Sequence, residues 1–224
     1  MVGKRCKVRN LPEKLQQENE KALFFDARQK SLITLAPGRT EVSGFGPEIA
    51  FAAKMTQALN QPIGIIKHSR GGTNLHHQWN PKNPKSLFAE LNQQVEAARK
   101  LRPIRVVGML WVQGGADAKS DLMANAYSDN LQQLIQSSRK NFKNPDMLFI
   151  SGRIPPKNSK SKPHWKTVRI AQQDLQLKGY QWVNCDDIPT GSDNIHYDEA
   201  GMIKLGERQA EMMLEAFKDW DVLN

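Results

Sequence analysis

The sequence predicts an α/β fold, a doubly wound and mostly parallel sheet flanked by helices. Three observations carry that expectation. Strand-like and helix-like segments alternate along the chain, short apolar runs separate amphipathic stretches, and no repeat or low-complexity tract interrupts the alternation. A single domain spanning residues 1–224 is the expected organisation, since no interdomain linker stands out.

Leu23–Asp26 and Leu32–Ala36 read as a hairpin with Ala27–Ser31 as its polar turn. From Pro47 to Leu59 apolar residues recur at helical spacing (Ile49, Phe51, Ala52, Met55, Leu59), and Pro47 suits the first turn, where its missing N–H costs least. Ile63–Lys67 reads as a buried parallel strand. Leu87–Leu101 is an amphipathic helix with its acid early and its Lys and Arg late, as the helix dipole favours. Ile104–Val112 is the strongest strand, nearly unbroken in apolar character, as in a sheet covered on both faces. Asp121–Phe142 reads as one long helix, Met147–Ser151 as a buried strand, Thr167–Leu177 as a helix, Gln181–Asn184 as a strand and Asp198–Phe217 as a closing helix. Ligands of open α/β sheets bind beyond the carboxyl ends of the strands. That rule draws attention to the loops after Ile63–Lys67, Ile104–Val112 and Gln181–Asn184.

Composition narrows the function classes. With 39% hydrophobic and 25% charged residues the chain suits a globular domain. No apolar run approaches the ~20 residues of a membrane-spanning helix, so no membrane partner is expected. The formal net charge is +9, but the positive residues are spread out. Their densest cluster, Lys157–Lys166, reads as a solvated polar loop. No nucleic-acid module motif accompanies it, and no nucleic-acid partner is expected. Met1–Arg9 is basic without a following apolar stretch, which is not the pattern of a secretory signal. Cys6 and Cys185 form neither a disulfide framework nor a metal-ligand spacing; they are expected to be free, the alternative being a pair if the fold brings them together.

Three stretches carry chemistry. In Asp193-Asn194-Ile195-His196 a carboxylate three residues before a histidine suits holding the imidazole through Nδ1–H, leaving Nε2 to take a proton. Seen alone, the pair is equally a surface Asp and a loop His. In Lys67-His68-Ser69-Arg70-Gly71-Gly72-Thr73 the adjacent glycines suit backbone N–H groups aimed into a cleft, as an oxyanion hole requires, or simply a tight turn. Trp79 follows as an apolar wall for a sugar ring or as core. In Gly108–Ala118 a strand runs into a glycine-containing loop, where Gln113 is a candidate side-chain donor to an oxyanion and Asp117 a candidate for ordering the loop.

Together with Phe45-Gly46-Pro47-Glu48, Ser151-Gly152-Arg153-Ile154 and Ala171-Gln172, these stretches resemble the SGNH-type hydrolases. The closer resemblance is to the branch of sialate O-acetylesterases and bacterial acetyl xylan esterases, in the same order and over nearly the whole chain. The resemblance implies a flavodoxin-like three-layer sandwich and a carbohydrate O-acetylesterase acting on acetylated sugars through an acetyl-serine, with neither metal nor cofactor. It implies His196 as general base and acid, Asp193 as its orienting partner, Gly71, Gly72 and Gln113 as the oxyanion hole, and Trp79 and Arg153 as substrate-binding residues.

Two departures accompany it. The family's nucleophile lies in a Gly-Gln-Ser-Asn-Met stretch after the first strand. The residues after Met1 match the continuation of that stretch, so strand and serine are expected ahead of residue 1. Ser69 and Ser43 lack a nucleophile-elbow pattern and are not expected to replace it. Gly115-Ala116 also stands where the family commonly reads Glu-Ser. The alternative expectation is a non-catalytic carbohydrate-binding relative that keeps the cleft.

Overall fold

A computed structural model describes residues 3–156 and 162–218. In chain order, after a 3-10 turn at Val8–Asn10, its elements are α1 (Glu13–Gln16), β1 (Asn19–Asp26), β2 (Ser31–Leu35), α2 (Glu48–Leu59), β3 (Ile63–Ile65) and α3 (Leu87–Leu101). Then come β4 (Gly108–Trp111), a 3-10 turn at Asp117–Lys119, α4 (Asp121–Asn125), α5 (Tyr127–Asn141), β5 (Leu148–Gly152), α6 (Trp165–Asp174), β6 (Tyr180–Val183) and α7 (Glu199–Lys218). The class is α/β, with helices flanking mostly parallel strands. The chain divides into two compact units, Met1–Ser69 with Gln94–Ile104 and Ile188–Asn224, and Arg70–Gln93 with Arg105–Asp187.

In the first unit the strand order is β2-β1-β3. β1 and β2 form the expected antiparallel hairpin (Phe24 opposite Ile33, Asp26 opposite Ser31), and β3 runs parallel to β1 with Ala22 opposite Ile63. The hairpin turn is tied by Asp26, a buried carboxylate whose Oδ1 accepts the N–H groups of Arg28 at 2.8 Å and Gln29 at 3.3 Å. Burial alone would raise its pKa, but these bonds and the Arg28 guanidinium outweigh it and hold the group below its ordinary value.

Pro47 caps α2 with φ −64°, one position earlier than its expected place inside the first turn. Asn60 ends the helix in the left-handed region, its N–H bonded to Thr56 O. The Gly46-Pro47-Glu48 motif is explained here. Glu48 is buried, and its Oε1 accepts from Gly46 N at 3.2 Å and from Lys67 Nζ at 2.9 Å. α2 and α7 pack so closely at Gly206 that a Cβ there would lie 2.2 Å from Pro47 O and 2.9 Å from Phe51 N. Phe24, Phe25, Phe45, Phe51, Met55, Met202, Leu205 and Met213 are among the buried side chains of this unit.

In the second unit β4, β5 and β6 are all parallel, with Trp111 opposite Ser151 and Ser151 opposite Trp182. The central strand β5 is buried along its whole length. α5 packs on α6, and Tyr127, Leu131, Leu134, Ile135, Phe149, Ile150 and Val168 are buried.

Four expectations are corrected. The strand expected at Ile104–Val112 begins only at Gly108 and is half-buried except at Trp111; it lies at the edge of the order β4-β5-β6, and the Val106 carbonyl before it is taken by the Asn144 side chain. The strand expected at Ile63–Lys67 ends at Ile65 and is half-buried, with Gly64 exposed. The long helix at Asp121–Phe142 is two, broken at Ala126, whose ψ of −1° departs from the helical value. α6 starts two residues early and ends at Asp174. Residues 157–161 of the Lys157–Lys166 cluster lie outside the described residues. Cys6 and Cys185 are both buried, and neither is joined in a disulfide.

Candidate active site

In the first unit the loop before α7 builds the histidine–carboxylate pair from local bonds. A bridge between Thr190 and Tyr197 closes the loop. Gly191 N–H donates to His196 O at 2.8 Å, and Asn194, at φ +55°, turns the chain within it. Asp193 sits at the start of that turn. Its Oδ1 accepts the N–H groups of Ile195 at 3.0 Å and His196 at 2.9 Å, and its Oδ2 lies 2.7 Å from His196 Nδ1. The DxxH spacing is thus a self-capping turn, with the same carboxylate holding backbone and ring. Burial works to raise the Asp193 pKa, but the His196 backbone N–H, the His196 ring and the Ile195 N–H prevail and hold it well below the carboxylate range. The carboxylate fixes the ring's proton on Nδ1 and leaves Nε2 as the basic nitrogen. Asp198 then caps α7, its Oδ1 accepting Gly201 N–H at 2.8 Å.

Arg5 was not among the residues singled out by sequence. Its Nη1 lies 3.0 Å from Asp193 Oδ2, the oxygen that also meets His196. The same N-terminal segment meets Glu199 Oε1 through Lys7 N at 3.2 Å and Asn10 Nδ2 at 3.0 Å. The only sequence signal was the basic character of Met1–Arg9, which gives no address for a charge.

Ser69 is not arranged as a nucleophile. Its N–H and its hydroxyl both bond the Glu41 carboxylate, and neighbouring His68 directs Nδ1 to the Gln94 amide at 2.9 Å. Ser43 is exposed.

The second unit brings Trp79, Gln113 and Asp117 into one network through Thr73, the residue that follows Gly71 and Gly72. Gly72 has φ +76°, a conformation that explains a glycine there. Next to it Thr73 is buried; its hydroxyl donates to Arg70 O at 2.9 Å and accepts from Trp79 Nε1 at 3.0 Å. Trp79 is 5% exposed and packs edge-on against Trp111 with ring centroids 5.2 Å apart.

Gln113 Nε2 lies 2.8 Å from Thr73 O and 2.6 Å from Asp117 Oδ2. Both neighbours are acceptors only, so both amide hydrogens are committed to them. Asp117 is fully buried and receives four N–H contacts, from Gln113, from Leu75 (3.1 and 2.9 Å) and from His76 (3.1 Å). Desolvation raises its pKa against these bonds.

Behind Gln113, the Tyr127 hydroxyl donates to Gln113 O at 2.9 Å and accepts from Trp111 Nε1 at 3.2 Å. Gln172 Nε2 donates to Gln113 O at 2.8 Å, and Gln172 Oε1 accepts Ile154 N–H at 2.9 Å. This accounts for the Ala171-Gln172 motif. Burial pushes the Tyr127 phenol far above its ordinary range, so it acts as a neutral donor. At Gly115 a Cβ would lie 2.9 Å from the Trp165 ring, so a side chain there would have to displace that ring.

Arg153 belongs to a different cluster of the same unit. Its guanidinium lies 4.5 Å over the Trp182 ring and 2.8 Å from both Asn184 Oδ1 and Asp186 Oδ2, and it also bonds Gln173. Arg169 meets the same Asp186 carboxylate at 2.8 Å. None of these partners belongs to the Gln113 network.

Comparison with known proteins gives a consistent picture. The family model described as carbohydrate esterase, sialic acid-specific acetylesterase, matches residues 2–215. A probable carbohydrate esterase of Arabidopsis thaliana is 27% identical over 180 residues, 79% of this chain and 66% of that protein. The chain thus spans just under two thirds of that relative's length. Among solved structures, an Arabidopsis thaliana protein superposes with TM-score 0.80 at 24% identity, covering 93% of this chain and 86% of its own. NanS superposes with TM-score 0.75 at 14% identity, covering 93% and 92%. A carbohydrate acetylesterase from Xanthomonas citri reaches 0.62 at 18% identity, covering 89% of this chain and 50% of its own. These structural likenesses show the fold.

Proposed function

Since the chain belongs to the family described as carbohydrate esterase, sialic acid-specific acetylesterase, we propose that it hydrolyses O-acetyl esters of a carbohydrate as a single catalytic domain of the SGNH type. The observation that carries this reading is the 2.7 Å contact between Asp193 Oδ2 and His196 Nδ1 on an accessible loop. An imidazole so oriented takes a proton at Nε2 from an attacking serine hydroxyl, a part assigned to no serine among the described residues, as that oxygen bonds the acetyl carbon; the proton passes to the sugar oxygen as its ester bond breaks, and water then releases acetate from the acetyl-serine. Asp193 stabilises the imidazolium formed between those two steps.

The charge that develops on the ester oxygen is assigned to the N–H groups of Gly71 and Gly72. Gln113 belongs to the same set as the amide that braces the turn from behind, since both its hydrogens go to Thr73 O and Asp117. Trp79 and Arg153 are proposed to act on the substrate through the loops they hold, Trp79 through Thr73 and Arg153 through the Asn184–Asp186 segment. Ser69, bonded to a carboxylate rather than an imidazole, is not assigned the nucleophile's part.

The test is release of acetate from an O-acetylated sugar and from p-nitrophenyl acetate by the purified protein, its His196→Ala form and its Ser69→Ala form. Turnover that disappears in the first and persists in the second supports the reading. Turnover that persists without His196 overturns the base. Binding of the acetylated sugar with no turnover in the parent protein moves the chain to the carbohydrate-binding alternative.

A further inference from the structure

We infer that Thr73 is a positioning residue that aims the Gly71 N–H. The inference deepens the esterase reading and rests on it for the use made of that N–H. Thr73 is 6% exposed and pinned at both of its polar ends. Its carbonyl accepts from Gln113 Nε2 at 2.8 Å, and its hydroxyl lies 3.0 Å from Trp79 Nε1 and 2.9 Å from Arg70 O. The indole N–H is a donor only, so the hydroxyl accepts there and its own proton is directed to the Arg70 carbonyl.

That carbonyl and the Gly71 N–H belong to one peptide unit, and the described backbone contains no cis bond. In a planar trans peptide the C=O and the N–H point in opposite directions. Drawing Arg70 O toward the buried hydroxyl therefore turns the Gly71 N–H away from it, on a turn where both glycines are exposed. Among the described residues no backbone acceptor takes the N–H of Gly71 or Gly72. The bonds run in one direction, from indole to hydroxyl to carbonyl, and each polarises the next, so the Gly71 N–H at the end of the series is a strengthened donor. The buried indole thus acts on the turn without touching it. Threonine suits the position because it supplies a hydroxyl on a side chain stiff at χ1.

The test uses Thr73→Val, which keeps shape and removes the hydroxyl, and Thr73→Ser, which restores it. The N–H residual dipolar coupling of Gly71 in a weakly aligning medium reads the direction of the bond without any turnover. Initial rates with p-nitrophenyl acetate read its use. We expect the Gly71 coupling to change in Thr73→Val while couplings across β5 stay as in the parent, and to return in Thr73→Ser. Alongside it kcat falls by about 10²-fold in Thr73→Val with KM unchanged, the scale on which a misplaced group costs rate, and recovers in Thr73→Ser.

A Gly71 coupling in Thr73→Val identical to the parent overturns the inference, as does a Thr73→Ser form as altered as Thr73→Val. Should Thr73→Val fail to fold, Trp79→Phe removes the N–H that orients the hydroxyl together with the pyrrole ring that carries it, and is read by the same coupling against those across β5: a changed Gly71 value with unchanged β5 values supports the inference, and any other result overturns it. A parent protein without turnover overturns the esterase reading alone, and the coupling still decides whether the hydroxyl aims the donor.

Discussion

The loop that carries His196 and the turn that carries Gly71 are built from different materials. Around His196 the bonds are ionic and wet: by side chain the ring is 54% exposed, Asp193 35%, and Arg5, the cation paired with Asp193, 78%. Around Gly71 the supporting side chains are dry and, apart from one carboxylate, neutral: Thr73, Trp79 and Asp117 are buried, and their partners are indole, amide and phenol groups. The difference fits the task proposed for each region. A base that changes protonation needs water and mobile counter-charge to accommodate the change. Donors that wait for a charge gain from being fixed before it forms, because nothing then reorganises during reaction.

The contrast can be broken most sharply at its two centres. His196→Ala is expected to reduce ester hydrolysis by at least ~10³-fold. Its thermal midpoint should hardly move, since the side chain lies at the surface; acetate release and calorimetry together check this. Asp117→Ala is expected to do the reverse in kind, removing about 3–5 kcal/mol of stability by leaving the N–H groups of Leu75, His76 and Gln113 buried without an acceptor. Urea unfolding measures it. A stability loss below about 1 kcal/mol would mean that water reaches the network and that the dry description is wrong.

Smaller effects sharpen the comparison. Tyr127→Phe deletes the hydroxyl shared by Gln113 O, Trp111 and Gln172 and should cost about 1–2 kcal/mol in the same assay. On the ionic side, the Asp193 carboxyl has a folded pKa below its ordinary value of 3.8. Its contribution is therefore present above that value and is lost as the pH falls through the folded one. Unfolding curves at neutral pH and near pH 3 should differ less for Asp193→Asn than for the parent. Arg5→Gln is the smallest, less than about 1 kcal/mol for an exposed pair. That effect should vanish in 1 M salt, where the screening length shrinks to about 3 Å.

The sequence displayed much of the fold because its periodicities are local. α2, α3 and α7 lie within a residue or so of their expected bounds, and the hairpin turn carries its own Asp26. The features it hid are set by distant partners. Nothing near Ile104–Val107 says that Asn144 will take the Val106 carbonyl, and no glycine or proline marks the break at Ala126.

The candidate site divides the same way. Asp193 and His196 were legible because they sit three residues apart in one turn. Arg5 was not, since its partner lies 188 residues away in sequence; Thr73 has Arg70 and Trp79 close by in sequence, but their spacing carries no pattern, and its third partner, Gln113, lies 40 residues away. The roles of Trp79 and Gln113 depend on where two N–H groups point, and residue type alone leaves that open.

Gly206 has a consequence for how this gene can drift. The helix there lies against the Pro47 carbonyl, with no room for even one added carbon. A single base change in a glycine codon that is not synonymous yields only stop or residues with a side chain, from alanine and serine up to arginine and tryptophan. Each of those residues would push α7 off α2 or force the backbone aside, at a cost of about 1–3 kcal/mol for the smallest and more for the rest. The codon has no neutral neighbour except its own synonyms. Among relatives that keep this helix pair, a substitution at this position should appear only alongside a change near Pro47 that reopens the gap.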